Sequence, residues 1–408
     1  MTNAPHLSVV ATSRNDNHGK NLHYRMQQFV NGFVDQCIRH DLKAELILVE
    51  WNPPDRSLPL SEALNFPQSK GPCTIRIIQV PQDVHMKLDH ADKIPLFQMI
   101  GKNVGIRRAR GKFILATNID VLFSDSLMHF LKTKLQEGQL YRVDRLDIPE
   151  KLPENVPFSD VLKFCAKNIL RINAKQGTIL IRKKSRWKKV PLYAKKLCTL
   201  LSYLMQVAYK RWFSPNLRKF FQAIYHFSIA SAFKMLKTTL NKLYHIDAAL
   251  VRCRGPLMWF YRKSKSGMRY FINLFFPSNH FYLHTNACGD FTLLSAQNWE
   301  SLKGYPEWNI FSWHLDSVLL FQAEQHGIKE VDLPRKMSIY HIEHEAGSGF
   351  SPESAHLLFK RLDDKGIPYL SNRNLEEILE KLKKSEEKVV YNEEDWGLAR
   401  IPLREFIV

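Results

Sequence analysis

The sequence predicts an α/β protein: a mainly parallel sheet with helices on both faces, elaborated by a basic, mostly helical insertion. Two observations predict the sheet. Short β-branched apolar runs alternate with stretches of helical periodicity over residues 1–150, and the runs end in polar residues. A third predicts the insertion: the excess positive charge falls in one segment of the chain.

The first run, "HLSVVATS" (6–13), is a strand ending in polar residues. "LHYRMQQFVNGFVDQCIRH" (22–40) follows, with apolar groups at Leu22, Met26, Phe29, Val30, Phe33, Val34 and Cys37, the spacing of one helix face. "AELILVEWNPP" (44–54) is a second buried strand, stopped by a proline pair, and "CTIRIIQVP" (73–81) a third. "QMIGKNVGIRRAR" (98–110) reads as a helix and "KFILATNID" as a fourth strand. Strands separated by helices imply parallel pairing. Ligands bind such sheets beyond the carboxyl ends of the strands. The polar residues there, 13–16, 50–52 and 118–120, should converge on one crevice.

A chain of 408 residues is long enough for two domains or one elaborated domain. With 45% apolar and 24% charged residues it is globular. Its six cysteines include no CxxC pair, which argues against a zinc knuckle or a disulfide framework. The start, "MTNAPHLSVVATSR", lacks a basic segment followed by an apolar one, so a cytoplasmic location is expected. Residues 151–280 hold 26 lysines and arginines against Glu154, Asp160 and Asp247, within a formal net charge of +19. Cations there interleave with aromatic and aliphatic groups. Apolar stretches such as Leu197 to Tyr209 and Phe221 to Phe233 run about 13 residues where a membrane span needs roughly 20. Amphipathic helices lying on an anionic membrane surface fit better, with nucleic acid the lesser expectation and a solvated helical face the plain one. The expected organisation is a first half at 1–150, the insertion at 151–280, a second half at 281–370, and a C-terminal helix and tail at 371–408.

In order, "SVVATSRND", "LILVEWNPP", "NVGIRRARGKFILATNIDVLFS", "GDFTLLSAQNWESLKGYPE", "HLDSVLLFQAEQHG" and "IYHIEH" resemble the GT-A glycosyltransferases, of family-2-like or exostosin-like type. The resemblance covers roughly residues 5–150 and 281–350 and rests on the ordered set rather than on any one segment. It implies transfer of a sugar from a nucleotide-sugar donor, a UDP-sugar foremost, to a glycan or lipid-linked acceptor.

A divalent ion bridging the two phosphates of such a donor stabilises the departing diphosphate, and Mn²⁺ or Mg²⁺ suits the oxygen ligands. The family's DxD triplet corresponds to Asn118-Ile119-Asp120; Asp120 matches the last acid and Asn118 departs from the first. The resemblance implies a late histidine as a further ligand, His341 in preference to His344. It also implies a carboxylate base at the start of a helix, here Asp316, for an inverting transfer. Leu315 stands where the family has Glu. Asp120 and Asp316 would otherwise serve as helix caps or turn residues. Ser13, Arg14 and Asn15 could reach the base and ribose, and Glu50 could accept bonds from either. Asn103 and Arg107 resemble the family's donor-side helix, with Arg108 and Arg110 as competitors. On the acceptor side stand Asp290 and an aromatic, Trp308, with Trp299 and Tyr305 as alternatives. Two other readings stand beside this one. A catalytically degenerate scaffold could bind anionic membrane or nucleic acid through the insertion. A nucleotidyltransferase would need a glycine-rich loop after the first strand, where only Gly19 is present.

Overall fold

The computed structural model describes residues 4–181, 282–344 and 355–408, all within one unit formed by residues 1–182 and 273–408. The stretches Leu197 to Tyr209 and Phe221 to Phe233, expected as surface-lying helices, lie outside the described residues. Among the described residues no helix is long and apolar enough to cross a membrane.

The chain opens with β1 (Leu7–Ser13), α1 (Leu22–His40), β2 (Ala44–Trp51), the short α2 (Leu60–Ala63), β3 (Cys73–Val80), the short α3 (Gln82–His85), α4 (Gln98–Arg107) and β4 (Phe113–Thr117). There follow β5 (Val121–Phe123), α5 (Asp125–Thr133), β6 (Gln139–Arg142), β7 (Arg145–Ile148), α6 (Phe158–Lys167), β8 (Arg171–Ala174) and β9 (Gly177–Leu180). Past the undescribed segment come a 3-10 turn (Cys288–Asp290), β10 (Phe291–Ser295), α7 (Ala296–Leu302), α8 (Leu315–Gln325), β11 (Lys329–Asp332), β12 (Ile339–Ile342), α9 (Ala355–Asp364), α10 (Asn372–Lys384) and β13 (Arg404–Ile407).

The strands build an eight-stranded sheet in the order β11-β6-β10-β4-β1-β2-β3-β13. β1 pairs in parallel with β2 and β4, and β2 with β3, as the strand–helix alternation predicts. β10 enters antiparallel between β4 and β6, and β13 closes antiparallel on β3. α1 packs on one face through Met26, Phe29, Val30, Phe33, Val34 and Cys37. α4 and α8 pack on the other, with Val104, Ile106, Val318 and Leu319 in its core. Burying each such side chain contributes roughly 1.5–3 kcal/mol. α4 lies unusually close to the sheet. A Cβ on Gly101 would stand 2.5 Å from Thr12 Cγ2, and one on Gly105 would run into Val10. Only hydrogen at these two positions lets α4 sit so near the strand ends.

A second sheet has the order β5-β12-β7-β8-β9. Here the structure differs from the expected organisation. Residues 151–181, assigned from their charge to the insertion, form α6, β8 and β9 of the main body. Val161, Leu162 and Cys165 of α6 share a buried cluster with Leu146 and Ile148 of β7. The expected C-terminal tail also departs from a plain tail. After α10, held by a capping box between Ser371 and Asn374, it forms β13 on the sheet edge.

Candidate active site

The central strand β4 ends at Thr117, and the turn Asn118-Ile119-Asp120 carries the chain into β5. That turn brings Asp120 beneath β12, where Ile342 N donates to Asp120 O at 3.0 Å. The Asp120 carboxylate is buried. Arg25, wholly buried on α1, donates to its Oδ2 at 2.7 Å and to His18 O at 2.8 Å. His344 Nε2 lies 3.5 Å and His341 Nε2 3.8 Å from the same Oδ2. Oδ1 is buried and has no hydrogen-bond partner.

From there charges and amides run across the mouth of the sheet. His341 Nδ1 stands 3.3 Å from Asp147 Oδ1. Asp147 is paired with Arg145 at 2.9 Å and with Arg171. Arg145 donates to Asp290 Oδ2 at 2.6 Å, and Asp290 Oδ1 accepts from the Asn118 amide. Asn118 Oδ1 accepts from Gln98 and from Lys102 Nζ, each at 2.9 Å. Lys102 Nζ also donates to Gly289 O at 2.5 Å. Asp316, at the start of α8, is half-buried next to Gly289, where a Cβ would come within 3.0 Å of its Oδ2. Ala287 and His314 hold left-handed φ of 51° and 67° just ahead of Asp290 and Asp316. Such conformations are uncommon outside glycine and gather at functional sites.

Burial pushes the Asp120 carboxyl up, but His341, His344 and Arg25 outweigh it and hold it below the usual carboxylate range. For His341, burial and Arg145 act downward. Asp120 and Asp147 prevail and hold it above the ordinary imidazole value. Burial pushes Lys102 down to about 8, against the pull of Asp290, Asp316 and Asp120.

The donor set fits a divalent first-row ion. One carboxylate and two imidazoles offer ligand atoms within 4.8 Å of one another, and the orphaned Oδ1 leaves Asp120 a free acceptor even with Arg25 on Oδ2. A second trio, Asp144, His284 and Asp332, is comparably close, but Arg335 Nε already takes Asp144 Oδ2 at 3.0 Å.

Of the residues singled out from the sequence, Asn118, Asp120, Asp290, Asp316 and His341 meet in this cluster. Ser13, Arg14, Asn15 and Glu50 line the ends of β1 and β2 and are already engaged. Ser13 donates to Met26 Sδ at 3.2 Å, Arg14 Nε to Asn52 O at 2.6 Å, and Asn15 to Leu58 O at 2.9 Å. The Glu50 carboxylate accepts from Leu60 N at 2.8 Å and from Gln79 at 3.1 Å, and its burial raises its pKa. Trp308 packs edge-on against Tyr391 and lines a small hollow with Phe97, Gln98 and Leu315.

Asn103 and Arg107 do not join the cluster, because they turn toward Tyr305, Glu307 and Glu300 rather than toward the strand ends. Asn103 bonds Tyr305 N and O, both at 2.8 Å, and Glu307 at 2.9 Å. Arg107 reaches Glu300 at 3.2 Å and lies over the Trp396 ring. Sequence reasoning missed Arg25, Lys102, Arg145 and Asp147. Only Asp147 carried a signal, an acid between the buried apolar residues Leu146 and Ile148.

No family model matches the chain, and no curated protein matches it. Among solved structures the chain is similar to a crystal structure of GalNAc-T7 with UDP, GalNAc and Mn²⁺, at 11% identity and a TM-score of 0.38. The alignment covers 98% of this chain and 57% of that one, so the chain spans little more than half of that protein's length.

Proposed function

We propose that the chain is a metal-dependent glycosyltransferase that moves a sugar from a nucleotide-sugar donor to a glycan or lipid-linked acceptor with inversion. One observation carries the reading: the orphaned Asp120 Oδ1, at the end of the central strand, in a cluster with His341 and His344. It is supported by the ordered segments that resemble GT-A enzymes.

Asp120, His341 and His344 would hold Mn²⁺ or Mg²⁺, which when bound neutralises charge on the leaving diphosphate. Ser13, Arg14, Asn15 and Glu50 frame the base and ribose at the ends of β1 and β2. Asn118, fixed by Gln98 and Lys102, presents Asp290 toward the donor sugar. Asp316 accepts the proton of the attacking acceptor hydroxyl. Trp308 offers an aromatic face to the acceptor. The basic segment between the two halves holds the enzyme against the anionic cytoplasmic face of a membrane, which flotation on anionic but not neutral liposomes would reveal.

The test is a thermal-shift screen of nucleotide sugars with and without Mn²⁺, since a bound ligand raises apparent stability. A stabilising donor, slow Mn²⁺-dependent hydrolysis of it, and an Asp316→Asn variant that binds donor without transferring sugar are the expected results. Equal activity in EDTA would remove the metal. A second reading is favoured by the Arg25 guanidinium lying 2.7 Å from Asp120 Oδ2. A catalytically degenerate scaffold, its acid neutralised by that cation, binds anionic membrane or nucleic acid through the basic insertion; it predicts no Mn²⁺-dependent shift with any donor.

A further inference from the structure

We propose that Asp147 is a positioning residue for His341: its carboxylate keeps the ring proton on Nδ1 and turns the Nε2 lone pair toward Asp120. The inference rests on the metal reading above for its purpose, though not for its geometry.

β7 and β12 run parallel in a register that sets His341 beside Asp147, so the two side chains leave the sheet on the same face. Nδ1 lies 3.3 Å from Asp147 Oδ1, and Nε2 lies 3.8 Å from Asp120 Oδ2. Nδ1 is buried and makes no well-aligned hydrogen bond to any group, so the Asp147 carboxylate, at ion-pair distance, is the acceptor it faces. Asp147 is in turn pinned from behind by Arg145 Nε at 2.9 Å, by Arg171 Nε, and by Asn173 Nδ2 at 3.1 Å.

Between two guanidinium groups, and fully buried, the carboxylate stays ionised. An ionised carboxylate only accepts, so the ring nitrogen facing it must carry the proton. Nε2 is left as the lone-pair nitrogen, directed at a second carboxylate. Two acceptors that face each other are reconciled by a cation between them, a proton on Nε2 at lower pH or a metal ion that displaces it. A buried carboxylate behind a ligating imidazole fixes ring orientation and raises ligand basicity, and its removal typically weakens metal binding about 10–100-fold. With no exposed surface, Asp147 cannot touch donor or acceptor. Its influence passes through His341.

The test reads the tautomer directly. Two-bond ¹H–¹⁵N correlation spectra are recorded on the metal-free full chain with labelled histidine. The pH is raised until the His341 signals stop moving, so that the ring is neutral when its tautomer is read. The His341 signals are assigned by their loss in His341→Gln. The expected wild-type result is a protonated Nδ1 and a lone-pair Nε2, with only Nε2 moving when Zn²⁺ is added. Asp147→Asn, whose amide can donate as well as accept, should populate the other tautomer and weaken Mn²⁺ binding about 10–100-fold in calorimetry. A wild-type ring protonated at Nε2 overturns the proposal. So does a folded Asp147→Asn variant with an unchanged tautomer and Mn²⁺ affinity within about twofold of wild type. Should that variant not fold, the wild-type spectrum decides alone. A wild-type chain that binds neither Mn²⁺ nor Zn²⁺ removes the metal from the preceding reading, while the tautomer still upholds or sinks the role of Asp147.

Discussion

Two polar clusters flank α4, and they differ in which of their groups are left unsatisfied. On the far side, Asn103 exchanges bonds with Tyr305 and Glu307. Asn392 donates to Lys303 O at 2.7 Å and Tyr305 O at 2.6 Å while accepting from Glu307 N at 2.9 Å. Glu307 also accepts from Gly397 N at 2.8 Å. Both amides are saturated, leaving only the neutral Tyr305 hydroxyl and Trp396 Nε1 buried without a partner, and the segment "VYNEEDWGLA" (390–399) becomes a latch onto α4. At the mouth of the sheet, Asp120 Oδ1, Asp147 Oδ1 and His341 Nδ1 are buried without a well-formed hydrogen bond. Amides whose bonds are all made stabilise a fold, whereas orphaned atoms on ionisable groups store unmet demand that a ligand can meet. The latch therefore reads as architecture and the mouth as chemistry.

Substitutions can break or sharpen this contrast. The largest effect belongs to Asp120→Asn, which keeps an acceptor for Arg25 and removes the charge. Mn²⁺-dependent donor hydrolysis should fall more than about a hundredfold with little change in melting temperature. A large loss of stability with activity retained would reverse the contrast. Next is Asn392→Ala, which strands Glu307 N and Lys303 O and leaves Tyr305 O to Asn103 alone. It should lower stability by about 2–4 kcal/mol in urea denaturation and leave any Mn²⁺-dependent thermal shift intact.

Lys102 bridges the two clusters in kind, since it is buried yet bonded. Its pKa of about 8 lies below the ordinary lysine value, so the unfolded chain binds the extra proton between the two. Stability of the wild type should therefore rise as pH increases from about 8 toward 10.4, by up to about 3 kcal/mol for this group alone. Lys102→Met should flatten that rise in denaturation curves taken across the same range. The smallest effect is expected of Arg107→Ala, which removes a half-exposed ion pair and a cation–π contact and should lower stability by about 1 kcal/mol or less.

Much of this architecture is legible in the residues. The seven apolar positions of α1 announce its buried face, and all seven are buried. The polar stop after β4 announces Asp120. The partners of Asp120 are harder to read. Lys102 and Arg25 sit among apolar neighbours on their helices, and helical spacing alone cannot separate an inward cation from an outward one. In "RLDI" the alternation places Asp147 opposite Leu146 and Ile148, but its importance depends on β12, distant in sequence. The two histidines of "YHIEH" are three positions apart, which would send them to opposite faces of a strand. The strand stops at Ile342, so His344 is released from that alternation and also reaches Asp120. Charge density misled at residues 158–181, because the lysines there are surface groups on elements whose apolar side is core.

The antiparallel entry of β10 between β4 and β6 has a consequence for how the molecule comes together. Register pairs Phe291 with Thr117, so completing the middle of the sheet closes a loop of roughly 170 residues, an entropic penalty that grows only logarithmically with length. Until that closure, β4 and β6 present bare edges that invite pairing with other chains. A protein shortened between 182 and 281 should thus refold faster and aggregate less on the way, even if its equilibrium stability hardly changes.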